Sequence, residues 1–475
     1  MTDLLKMGLE HYYGQNYYAA RDVWERGLQQ IQDSSEEAAY RNALGAVYDV
    51  IRGEDVSREY FERAVQLESD VPLSSLAMKA RTNLLYVLIR SGHVDTALSM
   101  ARDTEKLPYE GEPLRQATFH VALLHVLSHA ELYDEILGRI DTSAQLFSAV
   151  DSIDDYHRHF AMMYHYAGYA AQMLGRHAQA IDYYNLALEI RPSPETWRDL
   201  AKIYLLQDRI EDALACIDEL YPVIWHLTAV TQKVELAHTL ELLAMFAWVS
   251  GATTLYRKCT ERAELYFGQE SRWVEWLQVQ DLGSRLNNMN VRINADRVDL
   301  NQWKGFLDEL NLLDGFNAVF PGLWRPLQQA ASLSTRIYSR CRGVGEAVEL
   351  RLLEGAARLS YLGLTALTAV ESEAVQILVD SSRHKELATL TLRSLETYPE
   401  MSRYIEVIKG CRTMNIRLDS KEAYMAASLN ISLQYVESVE FRKMTHEQAR
   451  NDILDKYKRN VPSDIIRVFT NLFSA

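Results

Sequence analysis

Long apolar runs, paired cysteines, flexible linkers and a basic excess are all missing from this chain, and each absence removes a class of protein. No stretch of about 18 consecutive apolar residues occurs, so no helix is expected to cross a membrane. The opening MTDLLKMGLEHYYG carries acidic and polar side chains from its third position and lacks the apolar core of a secretory signal. Four cysteines, Cys216, Cys259, Cys341 and Cys411, lie far apart with no CxxC pair. That spacing excludes a zinc knuckle and a disulfide framework, and fits reduced thiols in a cytoplasm. Only 10 prolines and 21 glycines are spread over 475 residues, too thinly for a Gly-rich or Pro-rich linker, so domains are expected to abut. With 65 acidic against 50 basic side chains the net charge is -15, which argues against a duplex nucleic-acid surface. The expectation is a cytoplasmic protein with no nucleic-acid partner and no membrane insertion.

What remains is helical. Apolar residues make up 48% of the chain and charged residues 24%, the balance of a folded protein, and the length suggests two to four domains at about 100 to 200 residues each. Apolar positions recur with a helical beat from end to end, and no strand-like alternation interrupts them.

Small and large residues also repeat. YHYAGYAAQMLGRHAQAIDYYNLALEIRPS, from Tyr164 to Ser193, sets Gly168 and Ala171 on a first helix and Ala180, Tyr184 and Ala187 on a second, with Pro192 closing the unit. Trp197, Leu200, Ala201 and Tyr204, then Ala213 and Ile217, form the next copy. Gly8, Ala20, Trp24 and Gly27 match near the N-terminus, followed by Gly45, Tyr48, Phe61 and Ala64. A looser unit carries Leu85, Leu88, Ala97 and Ala101, and residues 115–150 are helical but depart from the pattern. This resembles the tetratricopeptide repeat of about 34 residues, and the resemblance implies five or six helical hairpins stacked as a solenoid over residues 1–220.

On the concave side of that solenoid the register places Met162, His165, Tyr169 and Gln172, and in the next hairpin Arg198 and Lys202. Such a groove suits an extended or helical peptide with an acidic end; the other reading is a solvated helix face. His157, His159 and His165 stand at offsets that do not pair on one helix face in the i, i+4 manner, so no metal is assigned.

Residues 221–300 keep the helical beat without the repeat and read as a helical connector. In NQWKGFLDELNLLDGFNAVFPGLW, Gly315, Pro321 and Gly322 are expected to break helices, and the next domain is set at 301–475. There LRLLEGAARLSYLGLTAL reads as one helix, followed by helices through SSRHKELATLTLRSL, MSRYIEVIKGCR and the tail FRKMTHEQARNDI to VPSDIIRVFTNLF, with Ala449 inside and Pro462 opening the last helix. This order resembles the HD-GYP family of cyclic di-GMP phosphodiesterases; a non-catalytic HDOD-type or generic helical domain is the alternative.

The resemblance implies a fold whose catalysis has been lost. Where the family has Leu-His-Asp-x-Gly-Lys, this chain has Leu359, Ser360, Tyr361, Leu362, Gly363 and Leu364, so a hydroxyl stands where an imidazole and a carboxylate held metal. His384 matches a retained helix histidine, Cys411 and Arg412 replace tandem histidines, and Gln434 replaces an aspartate. One imidazole does not hold a multinuclear metal site, so no metal, no cofactor and no catalytic residue is expected.

The sequence is therefore read as an all-α, non-catalytic interaction scaffold or regulator. The resemblance ties it to bacterial cyclic di-GMP signalling in motility, pili or biofilm. Expected partners are other proteins, met through the solenoid groove and the HD-like domain, with GGDEF-domain, motility or pilus proteins as candidates. A homodimer through residues 234–286 or the HD-like domain is a further expectation. The alternatives are a sensor that binds cyclic di-GMP without hydrolysis and a peptide-responsive tetratricopeptide regulator.

Overall fold

The computed structural model describes residues 3–31, 33–148, 150, 154–220, 233–270, 272–287, 300–342, 347–413, 420–457 and 461–473. Among the described residues the chain is all-α, with no strand, and no single helix is long and apolar enough to cross a membrane.

Seven hairpins come first: α1 (Asp3–Tyr13) with α2 (Tyr17–Leu28), α3 (Ser34–Ile51) with α4 (Glu54–Leu67), α5 (Ser75–Arg90) with α6 (Val94–Glu105), and α7 (Pro113–His129) with α8 (Tyr133–Ser148). Then follow α9 (Asp154–Met173) with α10 (His177–Ile190), α11 (Pro194–Leu206) with α12 (Ile210–Leu220), and α13 (Lys233–Val249) with α14 (Thr253–Gln269). Six of the seven turn in one way. A single residue, Gln15, Gly92, Glu131, Gly175, Asp208 or Gly251, takes a positive φ of 57 to 77° after the first helix. The next amide then reaches back five residues, as in Arg176 N–H to Ala171 O at 2.8 Å and Ala252 N–H to Ala247 O at 2.8 Å. This left-handed cap satisfies carbonyls that the helix end would leave unpaired. Side-chain caps start several helices: Asp33 accepts from the Glu36 amide at 2.7 Å, and Ser193 accepts from Thr196 at 3.2 Å with Pro194 at the first helical position.

Glycine on a first helix is matched by an aromatic residue sixteen positions later. A Cβ on Gly8 would lie 2.0 Å from Trp24, on Gly45 2.6 Å from Phe61, and on Gly168 2.6 Å from Tyr184. Only a hydrogen at these positions lets the rings close the hairpins.

By its packing the chain falls into two compact units, which differ from the expected 1–220, 221–300 and 301–475 division. One takes the described residues from Gly27 to Asn287. In it the first helices pack in succession, α3 on α5, α5 on α7, α7 on α9, α9 on α11 and α11 on α13. The stretch read as a connector belongs to this series: α13 and α14 are one more hairpin, followed by α15 (Trp273–Gln280) and α16 (Leu282–Asn287). Its signature is missing from the sequence because α13 is buried on almost every side from Leu236 to Ala247, which erases the two-faced pattern.

The other unit joins the described residues up to Arg26 to those from Leu300 onward. It holds α17 (Leu300–Val319), α18 (Trp324–Arg342), α19 (Ala347–Leu359), α20 (Glu371–Val379), α21 (His384–Glu396), α22 (Ser402–Thr413), α23 (Lys421–Glu440), α24 (His446–Tyr457) and α25 (Ser463–Leu472). Helix α17 runs straight through Gly315, so only Pro321 and Gly322 mark a break. The α1–α2 hairpin docks here. Arg336 on α18 donates to the carbonyls of Gly14 and, at 2.9 Å, Gln15, while the His446 amide donates to Asp22 Oδ2 at 3.0 Å and Tyr18 meets Tyr435 edge to face. Ala449 is fully buried and α25 begins just after Pro462.

The run LRLLEGAARLSYLGLTAL is not one helix. Helix α19 stops at Leu359, and Leu362–Ala366 form a 3-10 turn. Gly363 explains the break: its amide donates to Thr391 Oγ1 at 2.9 Å, and a Cβ there would stand 2.6 Å from the Leu387 carbonyl and the Thr391 amide of α21.

Candidate functional site

Inside the first unit a cavity of about 410 Å³ opens between the first helices of four successive hairpins. Helix α9 supplies Arg158, Ala161, Met162, His165, Tyr166 and Tyr169, spaced at three and four residues so that they share one face. His125, Ser128 and His129 come from α7, Thr196, Arg198 and Asp199 from α11, and Glu235 and His238 from α13. The turn from Arg191 to Glu195 and Arg272 complete the wall.

Behind this lining lies a buried ion network. Arg198 clamps Asp199 with two N–H donors at 2.9 and 3.2 Å and gives a third to Glu235 Oε2 at 2.5 Å. Lys202 Nζ donates to Glu241 at 2.7 Å and to His238 Nδ1 at 3.0 Å. Arg272 holds Glu275 with Nε at 2.7 Å, donates to Tyr169 Oη at 3.0 Å, and reaches the Ser128 carbonyl at 3.3 Å; Tyr169 donates to the same Glu275 at 2.5 Å. Opposite charges at this depth are stabilising only because each is paired and hydrogen-bonded.

Burial by itself would raise the carboxyl pKa values, but the neighbouring cations win. Arg198 and Lys202 hold Asp199 well below the usual carboxylate range, and Lys202 with His238 brings Glu241 down to about 2. Burial drives the histidines the other way from protonation. It lowers His125 to about 4, takes His129 well below 6.5 with help from His125, and lowers His238 with help from Lys202. These rings are neutral at pH 7. His125 stacks on Tyr166 with centroids 5.4 Å apart, and its Nδ1 is buried without a hydrogen-bond partner. His165 Nδ1 pairs with Thr196 Oγ1 at 3.0 Å.

Of the groove residues read from the sequence, Met162, His165, Tyr169 and Arg198 line this cavity together. Gln172 accepts from Tyr184 Oη at 3.0 Å, and Lys202 is only 1% exposed behind the wall. Neither cation offers a free charge, because Arg198 and Lys202 spend theirs on Asp199, Glu235 and Glu241. Sequence reasoning passed over Arg158, which continues the register of Met162 and His165 one turn earlier, and the i, i+4 pair His125 and His129. Arg272 carried no local signal, since it arrives from a hundred residues away.

The other candidate positions sit in the second unit. Ser360 Oγ donates to the Ala356 carbonyl at 2.7 Å. Tyr361 donates to Glu437 Oε1 at 2.9 Å, Gln434 donates to Glu437 Oε2 at 3.0 Å, and Lys456 donates to Gln434 Oε1 at 2.9 Å. Tyr361 and Gln434 thus meet through Glu437. His384 stands apart at the start of α21, its Nε2 2.8 Å from the Leu378 carbonyl, while the Ser360 carbonyl meets α21 two turns later at Thr391. Cys411 is buried, its carbonyl accepting from Asn430, and the Arg412 side chain lies outside the described residues. Among the described residues no group of three or more His, Cys, Asp or Glu side chains is placed to hold a metal ion. The chain matches no protein-family model and no curated protein by sequence.

Proposed function

We propose that this protein is a non-catalytic interaction scaffold whose hairpin series acts as a tetratricopeptide-like solenoid and receives a segment of a partner protein in the Met162 cavity. One observation carries the reading: a cavity of about 410 Å³, within the range of binding pockets, lies where four first helices face one another, lined by rings and backed by ion pairs. The second unit serves as a scaffold in this reading, its degenerate HD-like positions spent on internal bonds: Ser360 on Ala356, Tyr361 and Gln434 on Glu437. The link to cyclic di-GMP signalling rests on the resemblance alone.

The test places a photo-cross-linking phenylalanine at Met162 of the full chain in its native cell. A protein adduct that disappears when Ala161→Phe fills the cavity, with the unfolding midpoint of that variant retained, is the expected result. No adduct, or one indifferent to the filling, overturns the reading. Calorimetry with cyclic di-GMP is the control, and saturable heat there would move the function to nucleotide sensing.

A further inference from the structure

The ends of the cavity differ in charge. In its depth Arg198 and Arg272 are satisfied by Asp199, Glu235 and Glu275. At its mouth Arg158 on the first turns of α9 and Arg191 before α11 are exposed and have no ion partner among the described residues. One acid, Glu195, also lines this end without an ion partner there. Between mouth and depth the wall is made of rings. His125 and Tyr166 stack at an interplanar angle of 25°, and His165, Tyr169 and the flexible Met162 continue the surface. Rings and thioethers meet an aromatic guest at edge and face, and an unpaired guanidinium at a rim favours a carboxylate.

We infer that the segment bound here carries an aromatic side chain followed by acidic residues, the ring entering the cavity against the surface that Tyr166 and His165 form together, their centroids 5.8 Å apart, and the carboxylates pairing with Arg158 and Arg191. A volume of about 410 Å³ admits one or two side chains and excludes a folded domain, so the partner presents an extended stretch. Glu195 opposes the acidic residues and sets a ceiling on affinity. This inference rests on the cavity being a protein-binding site, and the cross-link at Met162 tests that separately. A protein adduct without recognition of the probes below overturns the present inference alone.

The test measures fluorescence anisotropy of the full chain with fluorescein-labelled Gly-Ser-Trp-Asp-Glu-Ser-Gly, against peptides with Ala for Trp or with Asn-Gln for Asp-Glu. The acidic Trp peptide should bind saturably, and either replacement should weaken it by about tenfold or more. Arg158→Glu should weaken it to a similar degree with the unfolding midpoint unchanged, while Glu195→Gln should tighten it. Equal binding of the three peptides, or indifference to Arg158→Glu, overturns the inference. So does tighter binding of the Asn-Gln peptide, which would show that Glu195 dominates the mouth.

Discussion

Around Asp199 and around Glu437 the chain buries a carboxylate equally well, 1% and 0% exposed, and yet the two are held differently. Asp199 is gripped by a guanidinium at 2.9 Å, with Lys202 at 3.8 Å, and the network to which it belongs borders a cavity. Glu437 is met by a phenol and an amide at 2.9 and 3.0 Å, with Lys456 one step removed, among fully buried neighbours such as Tyr361. Buried polarity alone therefore does not mark a binding site. The proposed site rests on the empty space beside the Asp199 network and on the unpaired charge at its rim.

The largest expected effect breaks this pairing in the first unit. Arg198→Met leaves Asp199 and Glu235 without their guanidinium and should cost about 3 to 5 kcal/mol in urea unfolding. Removing the acid as well, in Arg198→Met with Asp199→Leu, should recover part of that loss, because the deeply buried acid is gone and only the half-buried Glu235 then lacks its clamp. In the second unit Tyr361→Phe deletes one neutral donor to Glu437 and should cost about 1 to 3 kcal/mol. A loss as large as that of Arg198→Met would mean that both networks depend on charge alike, and the contrast would fall.

Two glycines sharpen the same contrast through packing. Gly363→Ala drives a methyl toward the backbone of α21, which has no rotamer to yield, whereas Gly168→Ala presses on the Tyr184 ring. Both should destabilise by about 1 to 3 kcal/mol, with Gly363→Ala at the upper end. Equal midpoints for the two variants in thermal unfolding would show that the α19–α21 junction gives way as readily as a ring.

Much of the all-α fold was legible because helical hairpins state their packing locally. Gly168 and Tyr184 lie sixteen residues apart, and the α9 face could be read from spacing alone. The site was legible to the same depth, which is why Met162, His165 and Tyr169 emerged together while Arg272, bound to Tyr169 from another part of the chain, did not. Helix α13 was legible as a helix but not as a member of the hairpin series, because an element buried all round has no polar face to set its register. The end of α19 escaped because it is set by contact with α21, and no sequence window spans both. The docking of the α1–α2 hairpin on α18 and α24 is likewise long-range: Gly8 and Trp24 report the hairpin, but nothing near them reports Arg336 or His446.

Acid should act on both regions by small increments. His125, beside the cavity, and His446, which pairs with Tyr435 Oη at 2.7 Å, are each lowered to about 4 by burial, and for His446 this prevails over Asp22. In the unfolded chain both titrate near ~6.5. The unfolded state therefore binds protons first as pH falls, so stability should decline from about pH 6.5 toward pH 4, by at most ~1.4 kcal/mol per pH unit for each ring. The carboxylates come next. In the first unit the folded pKa values of Asp199 and Glu241 are depressed by their cations, so the stability they contribute is intact above ~4 and is lost below it as pH drops toward about 2, where Glu241 titrates. Urea midpoints measured from pH 7 to pH 4 for wild type, His125→Gln and His446→Gln should give a shallower slope in each variant. Repeating the series with the acidic Trp peptide bound should steepen the wild-type decline and leave the slope of His125→Gln nearly unchanged, because a ring packed against a bound guest is harder still to protonate. An equal response of His446→Gln and His125→Gln to the peptide would place the bound segment away from the cavity.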